Sequence, residues 1–189
     1  MIRFPRFLLI PLMGGALALG GLSACETTKR GFPEMSSPNN DPEGLSRRQL
    51  EATSKQVAVV VDEKVRYLVP KDELAAAFTR QFADGTSINK TIIRKVQETP
   101  KDKAIYYLVG LGLRDGMFRS MALPLKSSTD KSLYLSSNAP RYIITSVGCT
   151  FCFFNFERNE IVGSSCEENS GGSRCDLTVE ENNSFFARR

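Results

Sequence analysis

AIYYLVGLGL, residues 104–113, is followed by RDG at 114–116 and by MFRSMALPL at 117–125. Two β-prone apolar runs around a short Asp-Gly turn read as an antiparallel hairpin, because Asp-Gly tolerates the left-handed backbone that tight turns need. The first run is apolar almost without interruption, the pattern of a strand buried on both faces. Downstream, the polar turn Ser127-Ser128-Thr129-Asp130 leads to a strand at Lys131–Ser136, then further strands at Arg141–Ser146 and Thr150–Phe156. Arg158-Asn159 makes the next turn, and Ile161 and Val162 lead back. Upstream, Val57–Val61 is a β-branched run, Asp62-Glu63-Lys64 a turn, and Val65–Val69 a partner strand that Pro70 ends.

One helix is predicted from Lys71 or Asp72 through Ala83. Leu74, Phe78 and Phe82 recur every four residues, with Ala77 and Gln81 on the same side, and Asp84-Gly85 is the stop. Ser46-Arg47-Arg48-Gln49 has capping-box spacing and predicts a second, short helix toward Lys55. Ile88–Glu98 fits either period; the β content that follows it assigns it to a strand. Turn signals every eight to twelve residues make the fold α+β, a mostly antiparallel sheet of hairpins with one or two helices, occupying residues 45–189.

Composition narrows the chemistry. The chain has 189 residues, 25 Lys+Arg against 21 Asp+Glu, a net charge of +4, and no histidine. Without histidine there is no Ser-His-Asp or Cys-His set and no imidazole metal ligand. A charge so near balance gives no reason to expect nucleic acid. Gly110-Leu111-Gly112 leads into a turn and a strand, not a helix, so it is no dinucleotide fingerprint. No catalytic residue is assigned, and the chain reads as non-enzymatic, with no cofactor and no bound metal expected.

The N-terminus carries Arg3 and Arg6, then an apolar run from Phe7 to Leu22 broken by Pro11 and four glycines, and it stops at Cys25. A basic start and a short apolar run form a secretory signal. Leu22-Ser23-Ala24-Cys25 resembles the lipobox of bacterial lipoproteins: an aliphatic residue, two small ones, then the cysteine that takes lipid. The resemblance implies cleavage after residue 24, acylation of Cys25, and a mature chain attached to the membrane through that lipid. Glu26, where an aspartate would favour the inner membrane, implies the outer membrane, on its periplasmic or cell-surface face. Residues 25–44, with three prolines and few apolar groups, read as a flexible tether holding the domain roughly 20–25 Å from the bilayer.

Four cysteines remain, Cys149, Cys152, Cys166 and Cys175, spaced C-x2-C-x13-C-x8-C. An even number in an exported chain points to two disulfides, for which three pairings exist. A hairpin turning at Arg158-Asn159 places Cys152 opposite Cys166, so Cys152–Cys166 with Cys149–Cys175 is the favoured pairing. The alternative is a thiol-redox or metal-binding protein using the same four residues. The C-x2-C pair fits a redox centre or half of a zinc site, but no helix follows to stabilise a thiolate, and C-x8-C is no second zinc knuckle. Asn138-Ala139-Pro140, Cys149–Phe154, Ile161–Cys166 and Cys175 together resemble the Cys-rich ends of small lipoproteins of Bacteroidota, a resemblance that implies no activity.

Phe151, Phe153, Phe154 and Phe156 crowd one strand. Alternation puts Phe151 and Phe153 on one side and Cys152, Phe154 and Phe156 on the other. The first reading is a central strand covered on both sides; the second is that Phe151 and Phe153, joined by Phe185 and Phe186, meet a partner. Anchor, tether and aromatic strand together suggest a cell-envelope lipoprotein that binds or supports a larger outer-membrane or surface assembly, with envelope proteins as partners. Tyr67, Tyr106, Tyr107, Tyr134 and Tyr142 give a weaker glycan-stacking option.

Overall fold

The computed structural model describes residues 54–167 and 171–186. The expected signal segment, Cys25, the expected tether and the short helix expected from Ser46 lie outside the described residues, except that Ser54 and Lys55, where that helix was to end, already belong to a strand. Among the described residues, ten strands and one helix follow in order. They are β1 (Ser54–Val61), β2 (Lys64–Tyr67), α1 (Lys71–Phe82), β3 (Ser87–Val96), β4 (Ile105–Arg114), β5 (Met117–Ser127), β6 (Ser132–Ser136), β7 (Arg141–Val147), β8 (Cys152–Glu157), β9 (Glu160–Cys166) and β10 (Arg174–Glu180). Every pairing is antiparallel. Among the described residues no helix is long and apolar enough to cross a membrane.

Eight strands form one sheet, and β8 and β9 form a separate two-stranded ribbon. Within the sheet β5 is the organiser. One edge pairs with β4 over its length, from Arg114↔Met117 to Tyr106↔Leu125. The other edge serves two partners, β7 at Arg119–Ala122 and β6 at Lys126 and Ser127. Pro124 falls between those two stretches, where its missing N–H leaves no ladder bond unmade. β3 lies beyond β4, β10 beyond β7, and β1 and β2 beyond β6.

Three hairpin turns carry positive φ at both central residues: Asp62-Glu63, Asp115-Gly116 and Arg158-Asn159. That is the backbone of two-residue type I′ turns, whose twist matches the flanking strands. α1 starts at Pro70, whose carbonyl accepts from Leu74 N–H at 3.1 Å, with Asp72 and Glu73 in the first turn. It ends on a left-handed Ala83, whose N–H reaches the Thr79 carbonyl.

The sheet is covered on both faces by different layers. Leu74, Ala77 and Phe78 of α1 pack with Val57, Leu108, Met121, Leu123 and Ile143. On the opposite face Tyr107, Val109, Phe118, Ala122 and Ile144 pack with Phe154 and Ile161 of the β8–β9 ribbon. Neighbours such as Leu108 and Val109, or Ile143 and Ile144, therefore belong to different cores, as period-two alternation requires. Double coverage is why residues 104–113 read as one unbroken apolar run. It also explains Gly110: a Cβ there would lie 2.7 Å from the Phe78 ring, so the glycine lets α1 settle onto β4.

Candidate functional site

The cysteines gather where the ribbon meets the sheet. β7 ends at Val147, and Gly148, at φ +74°, turns the chain off the sheet into Cys149. Cys152 opens β8 and Cys166 closes β9, and the two are register partners, as the hairpin spacing predicts. Cys175 is the second residue of β10 and lies opposite Ser146 of β7.

The favoured pairing is nonetheless wrong. The bridges are Cys149–Cys166 and Cys152–Cys175, with Cα separations of 5.7 and 5.9 Å. Directly opposed residues of a ladder have Cβ atoms about 4.5–5.5 Å apart, wider than the ~3.8 Å a cystine prefers. Cys152, only 3% exposed, points instead toward the sheet, where Cys175 of β10 meets it. Cys166 is reached from the β7–β8 connection by Cys149. Both bridges thus tie the ribbon to other parts of the fold, while its own two strands are held by backbone ladder bonds.

The surrounding polar groups fix the backbone around the sulfurs. Ser146 Oγ donates to the Cys149 carbonyl at 2.7 Å, and Ser164 Oγ to the Cys175 carbonyl at 2.6 Å. Glu167 N–H reaches the Phe151 carbonyl at 3.0 Å, and Ser173 Oγ the Gly148 carbonyl at 3.1 Å. The Sγ atoms of Cys149, Cys152 and Cys175 all lie within 4.8 Å of one another, because the two bridges sit side by side.

The aromatic residues divide. Phe154 turns inward and is buried, and Phe156 is half-buried, packing on Tyr107 at 5.5 Å with the Arg94 guanidinium over its ring at 4.5 Å. Phe153 faces outward and is 40% exposed. Phe151 precedes the strand; it stacks on Phe118 at 4.4 Å and touches Phe153 at 4.9 Å. The reading of β8 as a central strand covered on both sides is therefore overturned: β8 belongs to a two-stranded ribbon whose outer face carries Phe153, Asn155, Val162 and Ser165. Phe185 and Phe186 do not join this face. Phe185 is 3% exposed, edge-on to Phe78 at 4.7 Å, on the helix side of the sheet. Phe186 packs beside it under the Lys55 ammonium. Their sequence gave no sign of this, because the contact spans more than a hundred residues.

Three of the five tyrosines are taken up by the fold itself. Tyr134 and Tyr107 are buried, and Tyr67 directs its hydroxyl to the Ile93 N–H, 2.7 Å away. Burial, with Tyr142 and Glu160 nearby, pushes the Tyr107 hydroxyl up to about 12, so it remains a donor, to the Asn159 carbonyl at 3.1 Å. Asn159 also accepts from Glu98 N–H at 2.8 Å and so docks the ribbon turn onto the β3–β4 connection.

A second polar cluster escaped sequence reasoning. Beyond the end of α1, Asp84 accepts from Thr86 N–H and Oγ1, and pairs with Arg119 at 2.7 Å and Arg114 at 3.3 Å. Burial alone would raise this carboxyl, but the Thr86 bonds and the two guanidinium groups outweigh it and hold Asp84 below the ordinary aspartate range. The charged side chains come from three separate elements, and no local motif marks them. The cluster fastens the helix end to β4 and β5, a structural role.

Comparison of the chain with protein-family models, with curated proteins and with solved structures returns no match.

Proposed function

We propose that this chain is a non-enzymatic cell-envelope lipoprotein, anchored in the outer membrane by an acylated Cys25, whose β-rich domain binds or supports a larger envelope assembly. The observation that carries the reading is the tetrad Leu22-Ser23-Ala24-Cys25 at the end of a basic and then apolar leader. Two supports come from the domain. Its paired cysteines suit an oxidising compartment. Its outer ribbon face, with Phe153 and Val162 exposed beside Phe151, offers apolar surface of the kind protein partners cover.

The anchor is tested by expressing the full chain in a bacterial host with a labelled fatty acid. The expected result is label on the wild type, none on Cys25→Ala, and accumulation of the uncleaved chain when the lipoprotein signal peptidase is inhibited. An unlabelled wild type that keeps residues 1–24 refutes the reading. The assembly role is tested by crosslinking in intact cells: a stable envelope neighbour, weakened by Phe153→Ser, is expected, and a chain recovered only as a free monomer refutes that part.

A further inference from the structure

We propose that the outer edge of β8, with the part of β3 and β4 that the ribbon leaves uncovered, is a docking step for an extended acidic segment of another protein, which pairs with β8 as a third ribbon strand. The inference deepens the partner-binding half of the proposed function and rests on that half, not on the lipid anchor.

The step arises because the two layers differ in width. β10, β7, β5, β4 and β3 lie side by side beneath a ribbon of only two strands. β9 lies against β10, where Ser164 Oγ donates to the Cys175 carbonyl at 2.6 Å. β8 lies over the middle strands, with Phe151 on Phe118 of β5 at 4.4 Å and Phe156 on Tyr107 of β4 at 5.5 Å. The outer edge of β8 therefore faces β3. Beyond it the same sheet face continues with Leu111 and Leu113 of β4 and Lys90 and Ile92 of β3. Leu111 and Ile92 pack at the margin of the ribbon-side core. Leu113 and Lys90 share that face through their register partners Phe118 and Leu111, and Leu113 is 44% exposed.

The edge has bonding capacity of its own. Glu167 N–H reaches the Phe151 carbonyl, so Phe151 and Phe153 direct their backbone groups toward β9, and alternation turns those of Cys152 and Phe154 outward. No strand among the described residues lies on that side. Native sheet edges are ordinarily blunted by charge or proline, and residues 149–156 contain neither. Such an edge takes a strand by main-chain pairing, with selectivity from the side chains beside it.

Charge selects the occupant. Lys90 and Arg94 stand on the rim, Arg94 over the Phe156 ring at 4.5 Å, and neither has an ion-pair partner among the described residues. Residues 85–97, 104–113 and 149–156 together carry three cations and no carboxylate. A strand with apolar residues at alternate positions covers Leu111 and Ile92 with one face, and its carboxylates meet Lys90 and Arg94.

The test uses the full chain carrying Cys25→Ser, which makes the outcome independent of lipid attachment, and a short peptide of alternating valine and glutamate. Amide hydrogen exchange is followed by NMR. The expected result is saturable binding that slows exchange at the Cys152 and Phe154 N–H groups, weakens about fivefold with Lys90→Glu, and weakens as salt is added. The same peptide N-methylated throughout, or with lysine in place of glutamate, should not bind. The proposal is overturned if no saturable binding develops, if protection falls elsewhere, if either control peptide binds equally, or if Lys90→Glu changes nothing. A chain that dimerises through the same amides without peptide, or a peptide displaced by phosphatidylglycerol vesicles, overturns it in favour of those occupants. In intact cells, a crosslinked neighbour weakened by Phe153→Ser but indifferent to Lys90→Glu removes this inference and leaves the envelope role standing.

Discussion

Replacing Phe185 by alanine separates a core residue from a contact surface. The ring is 3% exposed and lies edge-on to Phe78 at 4.7 Å. Returning a buried phenylalanine side chain to water forfeits about 1.5–3 kcal/mol, and losing an edge-to-face aromatic pair about 0.5–1.5 kcal/mol more. The cavity left behind brings large-to-small core changes of this kind to about 3–5 kcal/mol. A chain end often escapes such costs by fraying, but this one is pinned just upstream. Asn183 Nδ2 donates to the carbonyls of Ser136 and Ala139 at 2.8 and 2.9 Å, and Ser184 N–H donates to Gln81 Oε1 at 2.8 Å. The cavity therefore stays open, and Phe185→Ala should cost about 3 kcal/mol. For a domain of this size that lowers the Tm by roughly 6–12 °C. Thermal and urea unfolding followed by far-ultraviolet circular dichroism measure it, with an unchanged urea slope expected. A double-mutant cycle with Phe78→Leu should return a coupling of about 0.5–1.5 kcal/mol. A loss below about 1 kcal/mol, combined with weaker capture of a crosslinked partner, would refute the burial argument and restore Phe185 to a surface role.

Gly110→Ala, which sets a Cβ 2.7 Å from the Phe78 ring, should destabilise by about 1–3 kcal/mol in urea unfolding, whereas Gly163→Ala, with its nearest neighbour 3.8 Å away, should cost well under that. Removing one bridge with the paired change Cys149→Ala/Cys166→Ala, a loop with a sequence separation of 17, should cost about 3 kcal/mol by chain entropy while the other bridge still forms; a cost near zero by the same unfolding assay counts against a structural bridge. Because Asp84 has a folded pKa below its unfolded value, its contribution is fully present above the ordinary carboxylate range and disappears as pH falls through the folded pKa. Asp84→Asn should therefore be about 1–3 kcal/mol less stable than wild type above about pH 5, and the two curves should converge in stronger acid; parallel curves down to the lowest pH measured would show that the carboxylate charge contributes nothing.

What the sequence disclosed was local. Asp62-Glu63, Asp115-Gly116 and Arg158-Asn159 each stand between β-prone runs, and each is a two-residue turn with left-handed backbone. Leu74, Ala77, Phe78 and Gln81 are buried on one face of α1 as their spacing required. β10 was missed, although Cys175, Leu177 and Val179 alternate with polar neighbours. It is an edge strand, its apolar residues are at most half-buried, and its partner β7 lies some thirty residues back. The disulfide pairing failed for a related reason. Opposition across the hairpin was legible and correct, but the bonds follow the stacking of ribbon on sheet, which no spacing within the hairpin encodes. The Asp84 cluster and the burial of Phe185 likewise rest on contacts between distant segments.

The Lys55 ammonium lies 4.2 Å from the centre of the Phe186 ring, so the first strand of the domain and its last described residues meet at one corner. A circularly permuted chain closed there with a short linker and reopened at the exposed Asp115-Gly116 turn should therefore keep the fold, with its new ends at the tip of the β4–β5 hairpin.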